Sequence, residues 1–229
     1  MTKNELRKLL KTELSAVSAD EKIIASKKAC GLLFEFITKN DFDIVLSYID
    51  LKNEISPQEI NRALMMQNKI VAVPKVVPKT QRMNFYILDN SIKILKQLEI
   101  GAFGISEPLE KKENLFNAEN FSKKKICVVV PGVAFGNKGQ RLGHGMGFYD
   151  IYLSDLKKKC VQNNCSLFLA GLCFDFQIKN AISLSQQNKL SSMVLLENIF
   201  LLHLKNLAAK NFQCKDNLSN TVLFSEMKP

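Results

Sequence analysis

The chain of 229 residues contains no tryptophan and only two histidines, His144 and His203. Its six cysteines, at 30, 127, 160, 165, 173 and 214, include no CxxC pair. With so little histidine and no paired cysteines, a Cys/His zinc site lacks its ligands, and the thiols read as free groups in a reducing cytoplasm. No apolar run reaches the roughly 18 residues that cross a bilayer. The longest candidate, 193–204, is interrupted by Glu197 and Asn198. The opening Met1-Thr-Lys-Asn-Glu-Leu-Arg-Lys carries charge where a secretory signal carries its apolar centre.

What the chain does have is the ordinary balance of a globular protein, 46% apolar and 24% charged residues. At this length roughly 70% of the unfolded surface is buried on folding, so no metal or disulfide staple is needed. Net charge is +10, yet residues 1–50 balance, with eight basic and eight acidic groups. The excess is spread over the remainder, and its only tight runs are 123–125 and 157–159. A nucleic-acid arm is denser and interleaved with aromatics. A diffuse excess either keeps a surface solvated or gathers small polyanions.

Residues 3–16 have the spacing of an amphipathic helix. Ser18-Ala-Asp-Glu21 is a capping box, which predicts a second helix from Ala19 to about Thr38. Residues 44–49 (Ile-Val-Leu-Ser-Tyr-Ile) read as a strand. Ser56-Pro-Gln-Glu59 is a second capping box, with proline where its missing N–H costs nothing, and opens a helix to Met66. Strands are expected at 69–73, ended by Pro74, at 83–88, at 126–130 and at 167–172, with a further candidate at 192–196. A helix fits 149–162. Strands alternating with helices predict an α/β sheet with helices on its faces. Residues 198–229 read as a peripheral helix followed by a polar tail.

Six of the ten glycines fall in 132–147. The segment reads Pro131-Gly-Val-Ala-Phe-Gly-Asn-Lys-Gly-Gln-Arg-Leu-Gly-His-Gly-Met-Gly-Phe-Tyr-Asp150, between the clearest buried strand and a helix. Ligands of open α/β sheets bind beyond the carboxyl end of a strand. Glycine lets the main chain approach a ligand closely, and successive N–H groups can surround an anion at a helix start. Arg141 offers a planar fork for phosphate or carboxylate oxygens, and Asp150 a hard oxygen ligand for magnesium. Neither the GxxxxGK[ST] loop nor GxGxxG fits the spacing.

Residues 131–135 followed by Gly139-Gln-Arg-Leu-Gly-His-Gly-Met-Gly-Phe-Tyr-Asp150 resemble the signature of the 5-formyltetrahydrofolate cyclo-ligase family, PGxxFDxxGxRLGxGxGxYD. Lys3-Asn-Glu-Leu-Arg7, Asn53-Glu54-Ile55, Val73-Pro74-Lys75, Gly101-Ala-Phe-Gly-Ile-Ser-Glu-Pro108 and residues 171–177 resemble other family pieces in order. The resemblance spans about 3–197. It implies one α/β domain over 1–197, an open, mostly parallel sheet flanked by helices on both faces in a Rossmann-like three-layer arrangement. It also implies cyclisation of 5-formyltetrahydrofolate to 5,10-methenyltetrahydrofolate, with ATP and Mg2+ as cofactors and release of ADP and phosphate.

Carried over by position, Arg141 and Tyr149 are the expected catalytic residues. Lys3, Arg7, Gly139, Arg141, Leu142, Gly143, His144, Gly145, Met146, Gly147, Phe148 and Tyr149 are expected around the nucleotide. Ile49, Glu54, His144, Gly145, Met146, Gly147 and Phe148 are expected around the folate, with Glu54 accepting from the pterin. Asp150 and Asn188 are the expected metal ligands. The chain departs from the family pattern at Gly136, usually aspartate, at Met146, often lysine, at the variable position filled by His144, and at Asn188 and Ser192, where acids are usual. Those changes leave two other readings open: a module that binds folate or RNA without turnover, and a different ATP-dependent enzyme on the same scaffold. The expected partners are small-molecule substrates, with no nucleic acid and no membrane, for a cytoplasmic monomer or weak dimer.

Overall fold

Two reciprocal caps start the first two helices. Helix α1 (Lys3–Ala16) begins where Thr2 accepts from the Glu5 N–H and the Glu5 carboxylate accepts from the Thr2 N–H. Helix α2 (Ala19–Lys39) repeats the arrangement with Ser18 and Glu21, as its sequence predicts. The computed structural model describes residues 1–101, 104–136 and 139–180, and the backbone of 199–202.

After α2 come strand β1 (Ile44–Leu46), helix α3 (Gln58–Met66) and the antiparallel pair β2 (Ile70–Val76) and β3 (Met83–Ile87). A small hairpin follows, β4 (Leu98–Ile100) with β5 (Ser106–Pro108). Then come β6 (Lys125–Val130), the short strands β7 (Ala134–Gly136) and β8 (Arg141–Leu142), helix α4 (Phe148–Gln162), β9 (Ser166–Leu172), β10 (Ile178–Lys179) and β11 (Ile199–Leu202). The main sheet has the order β11-β9-β6-β1-β2-β3 and is parallel except for β3.

Strand alternation sorts side chains between two cores. Val45, Cys127 and Val129 pack under α2 and α3, with Ala29, Leu33 and Leu64. Ile44, Ile126, Val128 and Val130 pack under α4, with Leu153 and Leu156. The result is the expected three-layer α/β architecture. From β1 the chain runs through α3 to β2, and from β6 through α4 to β9, in opposite directions along the sheet and over opposite faces. Such a switch point opens a crevice at the carboxyl ends of the strands, here between β1 and β6. Helix α1 closes one side of it, because Leu6 and Leu10 pack on Val133, Ala134 and Leu142.

Several expectations are corrected. The strand expected over 44–49 pairs with its neighbours as β1 only through Leu46, with one further bond from the Ser47 N–H to Ala72. Tyr48 and Ile49 leave the sheet, and their apolar character belongs to a cleft wall. The capping box at Ser56 does not form. Helix α3 has Pro57 at its N-cap and no side-chain cap bond; the Ser56 hydroxyl donates to Asp50 Oδ1 at 2.7 Å and accepts a long 3.5 Å contact from the Gln58 N–H instead of one from Glu59. Pro74 does not end its strand. Leu88 donates to Val71, so by alternation the missing N–H at 74 faces away from β3, past the end of β1, where no ladder bond is lost. Residues 199–202, read as helix, form β11 beside β9; a short apolar run does not separate the two by periodicity. The strand candidate at 192–196 and the tail from 203 lie outside the described residues, and no described helix is long and apolar enough to cross a membrane.

One packing constraint is strict. The buried Phe135 ring lies between two glycines, and a Cβ at Gly132 or Gly171 would come within 2.7 Å of it. Gly171→Ala is expected to lower unfolding free energy by about 1–3 kcal/mol, read from urea midpoints, and Phe135→Leu in the same chain should restore part of the loss. A Gly171→Ala chain of unchanged stability would contradict this packing.

Candidate active site

A cleft of about 320 Å³ occupies the crevice. One wall comes from the segment after β1, with Tyr48, Ile49, Leu51 and Glu54. The other comes from Pro131, Arg141 and residues 143–150. Its end is formed by Pro74, Val76 and Met83 of β2 and β3 and by Ile105, Ser106 and Glu107 next to and within β5.

Arg141 is fixed at the centre. It is 5% exposed. Its Nε donates to the Pro131 carbonyl at 2.6 Å, its guanidinium lies 4.9 Å above the Tyr149 ring, and its Nη1 is 3.5 Å from Asp150 Oδ1. Burial pulls its pKa down and Asp150 pushes it back up; a guanidinium nevertheless stays charged at neutral pH. Burial likewise pushes the Tyr149 hydroxyl far above its ordinary value, and that hydroxyl is buried without a hydrogen bond.

Asp150 stands in the first turn of α4, where an acid usually reaches back to the cap. It does not. Both carboxylate oxygens are buried and make no hydrogen bond. Burial raises its pKa, while Arg141, Arg7 and Lys3 lower it. The helix begins at Gly147, in a left-handed conformation (φ 76°) with no side-chain cap. The first-turn N–H groups of α4 are therefore not bonded by a capping side chain. Gly145 also has a positive φ, 109°, and a Cβ there would touch Arg7. Arg7 donates from Nε to the Gly143 carbonyl at 2.9 Å and from Nη1 to Asn4 at 2.9 Å, so α1 clasps the glycine bend from outside.

Glu54 faces the bend across the cleft. Its Oε2 accepts from the Leu51 N–H at 3.1 Å, and its Oε1 lies 3.2 Å from His144 Nε2. Ile49, Met146 and Phe148 line the same space. The residues expected at the site meet in this cleft, with exceptions: Lys3 and Arg7, on α1, do not line it, Arg7 bonding the Gly143 carbonyl from outside and Lys3 acting on Asp150 through its charge. Gly139 (φ 79°) sits in the turn between β7 and β8 and does not line the cleft. Leu142 points into the α1 contact and is fully buried there. Asn188 lies outside the described residues. Gly136, where an aspartate is usual, has its would-be Cβ position filled by the Gln140 side chain. Sequence reasoning gave no role to Tyr48 or Glu107. Glu107 is buried and accepts from the Val76 N–H at 3.1 Å, and any side chain at Gly101 would collide with it. The pairing of a glycine with a glutamate six residues later was the available signal.

The donor set bears on magnesium. No cluster of three or more His, Cys, Asp or Glu able to hold a metal occurs among the described residues. Magnesium keeps several waters and takes one or two carboxylates beside substrate phosphates. A buried carboxylate with no hydrogen bond on either oxygen, at the edge of the cleft and beside Arg141, fits that mode.

Because burial raises its pKa above the ordinary 3.8, ionised Asp150 disfavours the folded state at neutral pH. The penalty is absent below 3.8 and grows as pH rises through the raised value. Asp150→Asn should therefore raise the melting temperature of the ligand-free chain at pH 7, with the gap closing as pH falls below 3.8. A lower melting temperature at pH 7 would contradict this.

A family model described as the 5-formyltetrahydrofolate cyclo-ligase family matches residues 1–197. A 5-formyltetrahydrofolate cyclo-ligase of Haemophilus influenzae is 31% identical over 177 residues, covering 76% of this chain and 84% of its own length. One of Mus musculus is 27% identical over 201 residues, covering 86% and 94%. The solution structure of a 5,10-methenyltetrahydrofolate synthetase of Aquifex aeolicus shares the fold, with a TM-score of 0.66 and 24% identity, covering 93% of this chain and 97% of that one.

Proposed function

We propose that ATP drives the chemistry of this chain, which belongs to the 5-formyltetrahydrofolate cyclo-ligase family and is an enzyme converting 5-formyltetrahydrofolate to 5,10-methenyltetrahydrofolate. One observation carries the reading. Buried Arg141 and the hydrogen-bond-free Asp150 meet under the glycine bend, and Glu54 faces them across one cleft.

The formamide oxygen of the substrate is a poor leaving group. Transfer of the γ-phosphoryl group of ATP onto it, with ADP departing, makes it a good one. The neighbouring folate nitrogen then bonds to the formyl carbon and loses its proton, and phosphate leaves as the ring closes. The protein does little covalent work in such a sequence; it holds two polyanions in line and balances their charge.

Each group has a task that its position supports. Main-chain N–H groups of the bend and of the start of α4 surround phosphate oxygens. Arg141 cannot swing away, because Pro131 holds its Nε and Tyr149 lies against its face. It therefore presents charge without reorganising during transfer. Lys3 and Arg7 add positive charge from α1, within electrostatic reach of Asp150. Mg2+ would be held by Asp150, with Asn188 as the second proposed ligand, and supplies neutralisation of the phosphate charge. Glu54 accepts from the pterin N–H donors, while Ile49, Phe148 and the bend from His144 to Gly147 enclose the folate. The groups of the cleft that the structure describes come from one chain, which supports action as a monomer or weak dimer, and the cysteines at 30, 127, 160, 165 and 173, free among the described residues, suit a cytoplasmic setting.

The test is spectrophotometric. Methenyltetrahydrofolate absorbance should grow only when 5-formyltetrahydrofolate, ATP and magnesium are all present. Arg141→Ala should reduce turnover by about two to three orders of magnitude. Product formation without ATP, or near-normal turnover by Arg141→Ala, would refute the mechanism.

A further inference from the structure

We propose that Lys22, on α2, is a positioning residue for the folate side of the cleft, acting through the segment that carries Glu54. The proposal rests on the reading of Glu54 given above.

Residues 47–57 form neither helix nor strand. Such a segment needs outside partners to hold one shape, because its own backbone supplies few. Helix α2 provides them. Lys22, Ser26 and Cys30 are spaced four residues apart, so they form one stripe along the helix. Ser26 and Cys30 are 8% and 4% exposed, and the stripe runs beside the apolar face of Ala25, Ala29 and Leu33. All three bond the same segment. Cys30 donates from Sγ to the Ser56 carbonyl at 3.3 Å, and burial pushes its pKa up to about 11, so it stays a thiol. The Ser26 hydroxyl accepts from the Ser56 N–H at 2.9 Å. Lys22 donates to Asp50 Oδ2 at 2.9 Å, to the Leu51 carbonyl at 3.2 Å and to the Lys52 carbonyl at 3.0 Å. An ammonium has three N–H groups, and here each has an acceptor.

The route from Lys22 to Glu54 is one residue long. The Leu51 carbonyl that accepts from Lys22 also accepts from the Glu54 N–H at 3.0 Å. The N–H of the same Leu51 donates to Glu54 Oε2 at 3.1 Å. Asp50, held on one oxygen by Lys22, takes the Ser56 hydroxyl and the Gln58 amide on the other. The same hydroxyl accepts from the Gln58 N–H at 3.5 Å, not from the Glu59 N–H that a capping box would use. The local helix signal is overridden at the one place where the segment must be tied back. Local rules give way in this manner chiefly where a site demands it.

The experiment measures KM for 5-formyltetrahydrofolate and for ATP separately in Lys22→Met, Lys22→Arg, Glu54→Gln and the Lys22→Met/Glu54→Gln double variant. Lys22→Met should raise the folate KM about tenfold, as expected for losing charge-assisted bonds that orient a binding group, and leave the ATP KM unchanged. Lys22→Arg should recover most of the loss. In the Glu54→Gln background the effect of Lys22→Met should disappear, since coupled groups do not add. An unchanged folate KM in Lys22→Met beside an impaired Glu54→Gln would overturn this proposal alone. So would equal rises for both substrates, or a full effect persisting in the double variant. A Glu54→Gln enzyme with normal folate KM would overturn the reading of Glu54 and this proposal with it. If Lys22→Met does not fold, Ser26→Ala, which removes a single oxygen from the same stripe, carries the same expectations and the same refutations.

Discussion

A buried guanidinium is the constraint around which the rest is arranged. Placing a charge where water does not reach it costs several kcal/mol unless neighbours replace the lost hydration. Arg141 has such neighbours: a carbonyl at Pro131, the face of Tyr149 and the carboxylate of Asp150. They come from the two ends of one bend, Pro131 at the exit from β6 and Tyr149 and Asp150 at the entry to α4. Fixing Arg141 therefore fixes the bend, and the bend in turn requires close approach. A Cβ at Gly143 would lie 3.1 Å from the Arg141 nitrogens.

The helix starts divide according to place. Helices α1 and α2 carry complete capping boxes. Helices α3 and α4, which begin on the two segments flanking the crevice, carry no side-chain cap bond. In α3 the Ser56 hydroxyl donates to Asp50 and takes only a long contact from the Gln58 N–H; in α4 the first-turn acid makes no hydrogen bond. Capping is typically worth about 1 kcal/mol, so the omission at both places sets local stability against function. Asp150 shows the same opposition: Arg141 lies beside it, yet both its oxygens are buried without a hydrogen bond and burial still outweighs the nearby positive charge.

Much of the fold is legible in the residues themselves. The alternation of Ile126, Cys127, Val128 and Val129 across two cores, and the reciprocal cap at Ser18, are local patterns with local causes. The glycine bend reads as a ligand site from the sequence because six of the ten glycines gather around one arginine between a buried strand and a helix. What is not legible depends on partners distant in sequence. Ser56 has the pattern of a cap, yet its hydroxyl donates to Asp50. Tyr48 and Ile49 have the composition of a strand, yet line a cleft. Pro74 stays inside β2 because β1 has already ended. Leu142, adjacent to Arg141 in the signature, faces α1 rather than the cleft. Residues matched to a motif share its sequence, but strand alternation still sends neighbours to opposite sides.

The central claim is that main-chain amides of the bend grip a triphosphate beside the folate. The most direct measurement is the structure of the chain with a non-hydrolysable ATP analogue and magnesium. The account predicts phosphate oxygens against the amides of residues 143–148, next to Arg141 and Asp150. A nucleotide bound elsewhere, with that bend empty, would contradict it.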